Sequence, residues 1–280
     1  MTWQLCVSAI QMRSTADLAA NLAICRDLTA QAVSAGARMV LLPECFSLLG
    51  QSERDRLAVA EVLEHQTGPV MATLTDLAAK HGIWLIGGGT PEAIPSQTRR
   101  SFNTAVVVDP RGTLVSRYRK IHLFDVDIPG NASLRESDAT AGGTEPVVVT
   151  IDGVRVGISI CYDLRFPELY RKLVKDLGAE VIVVPAAFTA YTGAAHWHVL
   201  LRARAIENQA WVIAAAQWGK HNEKRESYGH TIIVDPWGTI IAERPAGDGV
   251  VTATLRSEVI EACRNQMPCL QHAALWKTLP

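Results

Sequence analysis

Apolar residues recur along this chain in two rhythms, and their alternation sketches a fold. Short runs, Gln4 to Ile10, Met39 to Leu42, Ile83 to Ile86 and Val154 to Ile160, are apolar almost throughout, the pattern of strands buried on both faces. Longer stretches of helical spacing lie between some of them. Asp17 to Ala35 places Leu18, Leu22, Cys25, Leu28 and Ala32 on one face and stops at Gly36, while Thr67-Gly68-Pro69 opens a second helix that closes at Lys80, His81 and Gly82. Gly87 to Arg100 is polar and interrupted by Gly and Pro, so it reads as a loop. Asn103 to Val108 and Thr113 to Tyr118 flank Asp109-Pro110-Arg111-Gly112 and read as a hairpin, with Lys120 just beyond it. Ile121 to Thr144 has no period and is expected as a long irregular connection.

Cys161 stands at the end of the Val154 to Ile160 strand. Pro167 and Glu168 suit the first turn of a helix that runs to about Leu177 and stops at Gly178, so strand, thiol, turn and helix form an elbow. Glu180 to Val184 is a strand ending at Pro185, Ala195 to Gln209 a helix, and Trp211 to Ala216 a strand. Tyr228 to Val234 and Thr239 to Glu243 form a second hairpin around Asp235-Pro236-Trp237-Gly238, and Gly249 to Leu255 is a last strand. The tail from Ser257 to Pro280 carries no clear element.

Two halves of the chain echo each other. Gly36 to Phe46, ending VLLPECF, parallels Gly178 to Phe188, ending IVVPAAF; VVVDPRGTL parallels IIVDPWGTI; Trp84-Leu85-Ile86 parallels Trp211-Val212-Ile213. Three matches in the same order predict two similarly built α/β halves. Two facing sheets with helices outside both bury such strands on both faces, which predicts a four-layer αββα sandwich. The comparison isolates Glu44, because Ala186 stands at the equivalent place in the second half. A carboxylate placed there once has a task beyond folding.

Composition narrows the possibilities. At 280 residues and 48% hydrophobic content the chain builds a large core without disulfides, and a single domain over 1–280 is expected, with 257–280 as a tail and a candidate for an oligomer interface. The 27 basic and 28 acidic residues nearly cancel, which argues against nucleic acid or an anionic membrane as partner and leaves a small-molecule substrate. Six cysteines without a CxxC pair, no basic region ahead of the first apolar run and no apolar stretch near the roughly 20 residues of a membrane span lead to the expectation of a soluble, cytoplasmic protein with free thiols.

Sites in α/β sheets form outside the carboxyl ends of strands, and Glu44, Lys120 and Cys161 all sit at such ends. A thiol near its ordinary pKa of roughly 8.5 is mostly protonated at neutral pH and needs a base or a cation beside it. Glu44 is suited to take the proton. Lys120 and the Tyr162 N–H are suited to hold the oxyanion formed when the thiolate attacks a carbonyl. Each residue also has a plainer role open to it, as a packed thiol, a loop cap or a surface charge. His196 and His198 raise a rival, a metal pair or a Cys-His arrangement, but residues two apart on a helix face different ways and no Asp, Cys or His cluster is expected to complete a ligand set. Histidines satisfied near a helix start are the expectation for both.

The motifs LLPECF, YRKIHLFDVDIPG and GISICYDLRFPELYR, in that order, resemble the Glu, Lys and Cys motifs of the nitrilase superfamily of carbon-nitrogen hydrolases, and the likeness extends along nearly the whole chain. The resemblance implies an αββα sandwich, a Glu-Lys-Cys site with no metal and no cofactor, and a homodimer or higher homo-oligomer. It also implies that Glu136 in LRES is a second, supporting glutamate. Cys161-Tyr162-Asp163 followed by Arg165-Phe166-Pro167-Glu168 looks like the Nit amidase branch, and the text from Pro185 to Thr239 is similar to amidases of deaminated glutathione; Cys45 in PECF is nearer the ω-amidase pattern. Both groups act on an acyl chain ending in an α-keto carboxylate. Arg165 and Thr192 are the expected carboxylate-binding residues, and Phe188, matched by Phe46 in the other half, is a pocket wall or core. An amidase of deaminated glutathione, an ω-amidase acting on 2-oxoglutaramate and a non-catalytic scaffold of the same fold are the three readings.

Overall fold

The computed structural model describes residues 2–127 and 134–274. In the first half, β1 (Gln4–Gln11), α1 (Leu18–Ser34), β2 (Met39–Leu41), α2 (Pro69–His81), β3 (Trp84–Ile94), β4 (Gln97–Val108) and β5 (Leu114–Arg119) follow one another. In the second half come β6 (Val147–Ile151), β7 (Val154–Ile158), α3 (Pro167–Arg171), β8 (Val181–Val183), α4 (Ala190–Asn208), β9 (Trp211–Ala214), β10 (Thr231–Val234) and β11 (Ile240–Arg244). The chain then returns to the first sheet with β12 (Gly249–Arg256) and finishes its described part with α5 (Ser257–Gln266) and a short turn.

The two sheets have the same plan. Their orders are β12-β1-β2-β3-β4-β5 and β6-β7-β8-β9-β10-β11, with Thr140–Ala141 also pairing β4. In each, three central parallel strands are flanked by antiparallel ones. The internal repeat is therefore real, and the last strand of the chain fills in the first sheet the place that β6 fills in the second. Side-chain alternation explains why the strands read as unbroken apolar runs. Met39 and Leu41 point to the core between the sheets, together with Val7, Val107, Val156 and Ile158. Val40 and Leu42 point the other way, against Leu22, Cys25 and Leu28 of α1 and Leu74 and Leu77 of α2. Leu169 and Tyr170 of α3 and Trp197 and Leu201 of α4 pack with the second sheet. The result is a four-layer αββα sandwich.

Helix ends follow local chemistry. The Asp17 carboxylate accepts from the Ala20 N–H at the start of α1, and Gly82, in the left-handed region at φ 62°, ends α2. Three expectations need correction. Gly87 to Arg100 is not a loop: β3 and β4 continue through it as a hairpin, with register shifts between Gly87 and Thr90 and between Ala93 and Ile94. The polar residues 97–100 are exposed there while their backbone remains in the strand. α4 begins at Ala190 rather than Ala195, and Gly193 in its first turn is a packing position, since a Cβ there would stand 2.4 Å from Cβ of Tyr228. Tyr228 to Val234 is not one strand, because Gly229 and His230 have φ of 79° and 58° and break it into a short ribbon strand and β10. The unassigned tail holds α5, tied to β1 by the Ser257 N–H donating to the Trp3 carbonyl. No helix among the described residues is long and apolar enough to cross a membrane.

Candidate active site

Each of the three reactive residues leaves the end of a strand as expected. Cys161 follows β7 with φ 47°, a left-handed conformation at a non-glycine residue, and its N–H donates to the Pro185 carbonyl at 2.9 Å. This strained turn is the elbow, and Asp163 holds it. That buried carboxylate accepts from the Ile160 N–H (2.9 Å), the Tyr118 hydroxyl (2.7 Å) and the His122 N–H (3.1 Å), and it contacts His122 Nδ1 at 2.7 Å. Tyr118 and His122 stand two residues either side of Lys120. One side chain thus ties the nucleophile turn to the segment that carries the lysine.

Glu44 and Lys120 are 3% and 2% exposed, so their charges are compensated internally. Glu44 Oε1 accepts from Lys120 Nζ and Asn103 Nδ2, both at 2.9 Å, and Oε2 accepts from the Ala187 N–H at 2.9 Å. Lys120 Nζ donates on its other side to Glu136 Oε2 at 2.8 Å. Glu136 also accepts from Asn103 Nδ2 (2.9 Å) and the Phe124 N–H (2.8 Å) and lies 3.6 Å from Arg56. Two carboxylates therefore face two cations, with an amide between them. Gly89 makes room for this cluster: at φ 67°, a Cβ on it would lie 2.7 Å from both Glu44 Cγ and Asn103 Oδ1.

The protonation pattern follows from this geometry. Burial pushes the Glu44 carboxyl up, but Lys120 and Arg56 beside it and hydrogen bonds from Lys120 and the Cys161 thiol outweigh that and hold it low, at about 2. Burial opposes the Lys120 charge, yet Glu136 and Glu44 keep the amine well above its ordinary range. Burial and the Glu44 charge push the Cys161 thiol well up in spite of Lys120. At neutral pH the set is carboxylate, ammonium and thiol, with the thiol hydrogen-bonded to the carboxylate. A base is charged and empty beside an acid that holds its proton.

These residues close the buried end of a cavity of about 990 Å³, which Tyr162, Arg165, Phe188 and Thr192 also line. A scan along the chain matches the Carbon-nitrogen hydrolase family over residues 6–265. The chain belongs to that family. It is 42% identical to the deaminated glutathione amidase of Rattus norvegicus over 276 residues, 97% of this chain and 83% of that one. Among solved structures, the C. elegans NitFhit protein superposes with a TM-score of 0.88 at 38% identity, this chain covering 65% of that longer one with 96% of its own length. Saccharomyces cerevisiae Nit3, a member of branch 10 of the nitrilase superfamily, superposes with a TM-score of 0.81 at 31% identity over 95% of this chain and 94% of that one. As a carbon-nitrogen hydrolase the protein cleaves amide-type C–N bonds, and the nitrilase-like motifs read from the sequence agree with this membership.

Within this hydrolase the remaining sequence-predicted residues sort by place. Glu136 is in the buried cluster, one contact removed from Glu44 through Lys120 and through Asn103. The Arg165 guanidinium lies 5.0 Å from the Phe188 ring centre and 5.8 Å from that of Tyr162, and its Nη1 is 3.2 Å from His196 Nδ1. Asp163, two residues before Arg165, is committed to Tyr118, His122 and Ile160. Thr192 Oγ1 is 2.7 Å from Thr189 Oγ1 in the first turn of α4. Phe188 is both wall and core, since it lines the cavity and packs 5.0 Å from the Trp197 ring. His196 and His198 are absent from the residues that line the cavity. Sequence reasoning missed Asn103, Arg56 and the role of Asp163. Asn103 carries a signal in retrospect, as a polar residue heading the apolar run TAVVV; Arg56 has none, because the 3₁₀ segment Glu53–Val59 has no apolar period.

Proposed function

We propose that the protein is an amidase that works through a Cys161 thioester, with Glu44 as the proton-transfer group, Lys120 and the Tyr162 N–H as oxyanion donors, and Glu136 as the carboxylate that keeps Lys120 charged and in place. The Cys161 proton passes to Glu44 as sulfur attacks the amide carbon, and charge gathers on the carbonyl oxygen. Collapse breaks the C–N bond, and Glu44 returns the proton to the departing amine. Water then attacks the thioester carbon, giving its proton to Glu44; the second collapse breaks the C–S bond, and the proton goes back to sulfur. The observation that carries the reading is the contact chain Cys161–Glu44–Lys120 at the buried end of the cavity.

The proposed substrate is deaminated glutathione, cleaved to 2-oxoglutarate and Cys-Gly, with the α-keto carboxylate held by Arg165 and Thr192 and Phe188 against the acyl chain. The rat relative's name supports it, as does the position of Arg165 on a wall of the same cavity. The second substrate to test is 2-oxoglutaramate. Steady-state kinetics decide: kcat/KM for deaminated glutathione at least about tenfold above that for 2-oxoglutaramate is expected, and the reverse order overturns the assignment. Cys161→Ala has no turnover of either amide under this mechanism. Retained turnover would sink it, and a trapped acyl group on Cys161 by mass spectrometry excludes a scaffold.

The same reading includes a single domain over 1–280, a cytoplasmic setting and a homo-oligomer. One apolar cluster shared by both sheets supports the first, and six free thiols support the second. Val199 and Ile206 on α4 and Trp237 and Ile241 nearby are exposed apolar side chains, which support the third.

A further inference from the structure

Away from the cavity, the fold brings together three side chains that the sequence keeps far apart. His198 projects from α4, His230 from the turn before β10, and Glu243 from β11, where it pairs across the sheet with Ile232. His198 Nε2 lies 2.8 Å and His230 Nδ1 2.5 Å from the same oxygen, Glu243 Oε1, and the three donor atoms lie within 4.8 Å of one another. The sequence reading found no partner to complete a ligand set around His198. Tertiary structure supplies two.

We propose that His198, His230 and Glu243 form a binding site for one divalent transition-metal ion of the zinc class. Two imidazole nitrogens and one carboxylate oxygen are the donor set that borderline ions such as Zn²⁺, Co²⁺ and Ni²⁺ prefer, and they leave room for a water as fourth ligand. Mg²⁺ and Ca²⁺, which take oxygen ligands, are poorly served. The donors are held in advance. His230 is fixed at φ 58°, its N–H donates to the Pro245 carbonyl at 3.2 Å, and its own carbonyl accepts from Trp197 Nε1 at 2.9 Å. The Tyr228 ring stacks on the His230 ring with centres 4.2 Å apart and meets His198 edge-on at 5.9 Å. The side chains of His198, His230 and Glu243 are 29%, 23% and 25% exposed in the single chain, which leaves an ion a path to them.

Coordination asks little rearrangement. Ligands of a tetrahedral ion at 2.0–2.1 Å stand roughly 3.3 Å apart, so each nitrogen withdraws from Glu243 by less than about 1 Å. The ion links α4 to β11 and the turn before β10, which are already joined to each other by the backbone pairing of β10 with β11.

The test uses the full chain without a polyhistidine tag, stripped with chelator and titrated with Co²⁺. The expected result is one ion per chain, visible d–d bands and no thiolate-to-metal charge-transfer band, which separates this site from Cys161 and Cys45. His198→Gln and Glu243→Gln each weaken binding by at least about tenfold. Amidase activity stays at the wild-type level in both, because neither residue belongs to the catalytic machinery. Zn²⁺ raises the melting temperature of the wild type and not of His198→Gln. His198→Gln lies on a partly exposed helix face, so it reports on binding even if His230→Gln fails to fold. Binding no tighter than millimolar, a charge-transfer band, or unchanged Co²⁺ affinity in His198→Gln overturns the proposal.

Discussion

The proposed chemistry depends on where one proton sits. Glu44 is held at about 2, against an ordinary 4.5, by Lys120 and Arg56, which overcome its burial. A carboxyl depressed in the folded state stabilises the fold above its unfolded pKa and loses that contribution as pH falls toward the folded value. Glu44 therefore adds stability above about pH 4.5 that fades on the way to pH 2, and acid unfolding should be steep in that window. By the same reasoning kcat/KM should show no limb from Glu44 between pH 5 and 8; an ionisation near 4.5 to 6 that disappears in Glu44→Asp would contradict the depressed value. Glu44→Gln keeps the shape but accepts no proton, so kcat should fall by about 10³-fold with the melting temperature changed far less, checked by single-turnover kinetics and calorimetry. Glu44, Lys120 and Cys161 were legible in the sequence because strand ends and the half-to-half mismatch at Glu44 expose them. Asn103 and Arg56 were not, because each acts through a neighbour 33 or more residues away or on a segment without a pattern.

At the scale of elements, the site is shaped by the Asp163 clamp and by two glycines. Gly88 lies where the sheets meet, with a Cβ there 2.1 Å from Pro185 and 2.4 Å from the Leu42 carbonyl oxygen, and Gly89 clears Glu44. Gly89→Ala combines a positive φ with a clash against the Glu44 side chain. It should cost more than about 1 kcal/mol of stability and lower kcat more than it raises KM, seen in denaturant melts and steady-state kinetics. Asp163→Ala strands the Tyr118 hydroxyl and the Ile160 and His122 N–H groups in a buried place. A loss of at least about 2 kcal/mol is expected, with kcat reduced because Cys161 and Lys120 are no longer tied together. The elbow itself was predictable from Pro167 and Gly178. Its strain at Cys161 was not, since a positive φ at a cysteine has no sequence signal. The error over Gly87 to Arg100 has a similar origin: polar residues and glycines report exposure and bulges as readily as loops.

For the whole molecule, the repeat explains the site. Each half contributes central strands whose carboxyl ends converge, Glu44 from one and Cys161 from the other, and the Ala187 N–H of the second half binds the Glu44 carboxylate of the first. Neither half carries the proposed machinery alone. The exposed apolar side chains of α4, Val199 at 67% and Ile206 at 48%, belong at this scale too. If they are covered by a second copy, Val199→Asp with Ile206→Asp should shift the protein to a smaller species in analytical ultracentrifugation, with the melting temperature of that species lowered; an unchanged sedimentation coefficient would place the interface elsewhere.

The sequence by itself determined the layers and the repeat and singled out the three proposed catalytic residues, because strand burial, helical spacing and turn chemistry are local, and a local pattern survives being read one residue at a time. The family resemblance rested on those same motifs. Tertiary structure decided what stands opposite what: the second glutamate against Lys120, the amide between two carboxylates, the Asp163 clamp, and the meeting of His198, His230 and Glu243. These contacts join residues up to 59 positions apart. Their energies depend on burial and on the partner's charge, and a linear string of residues carries neither.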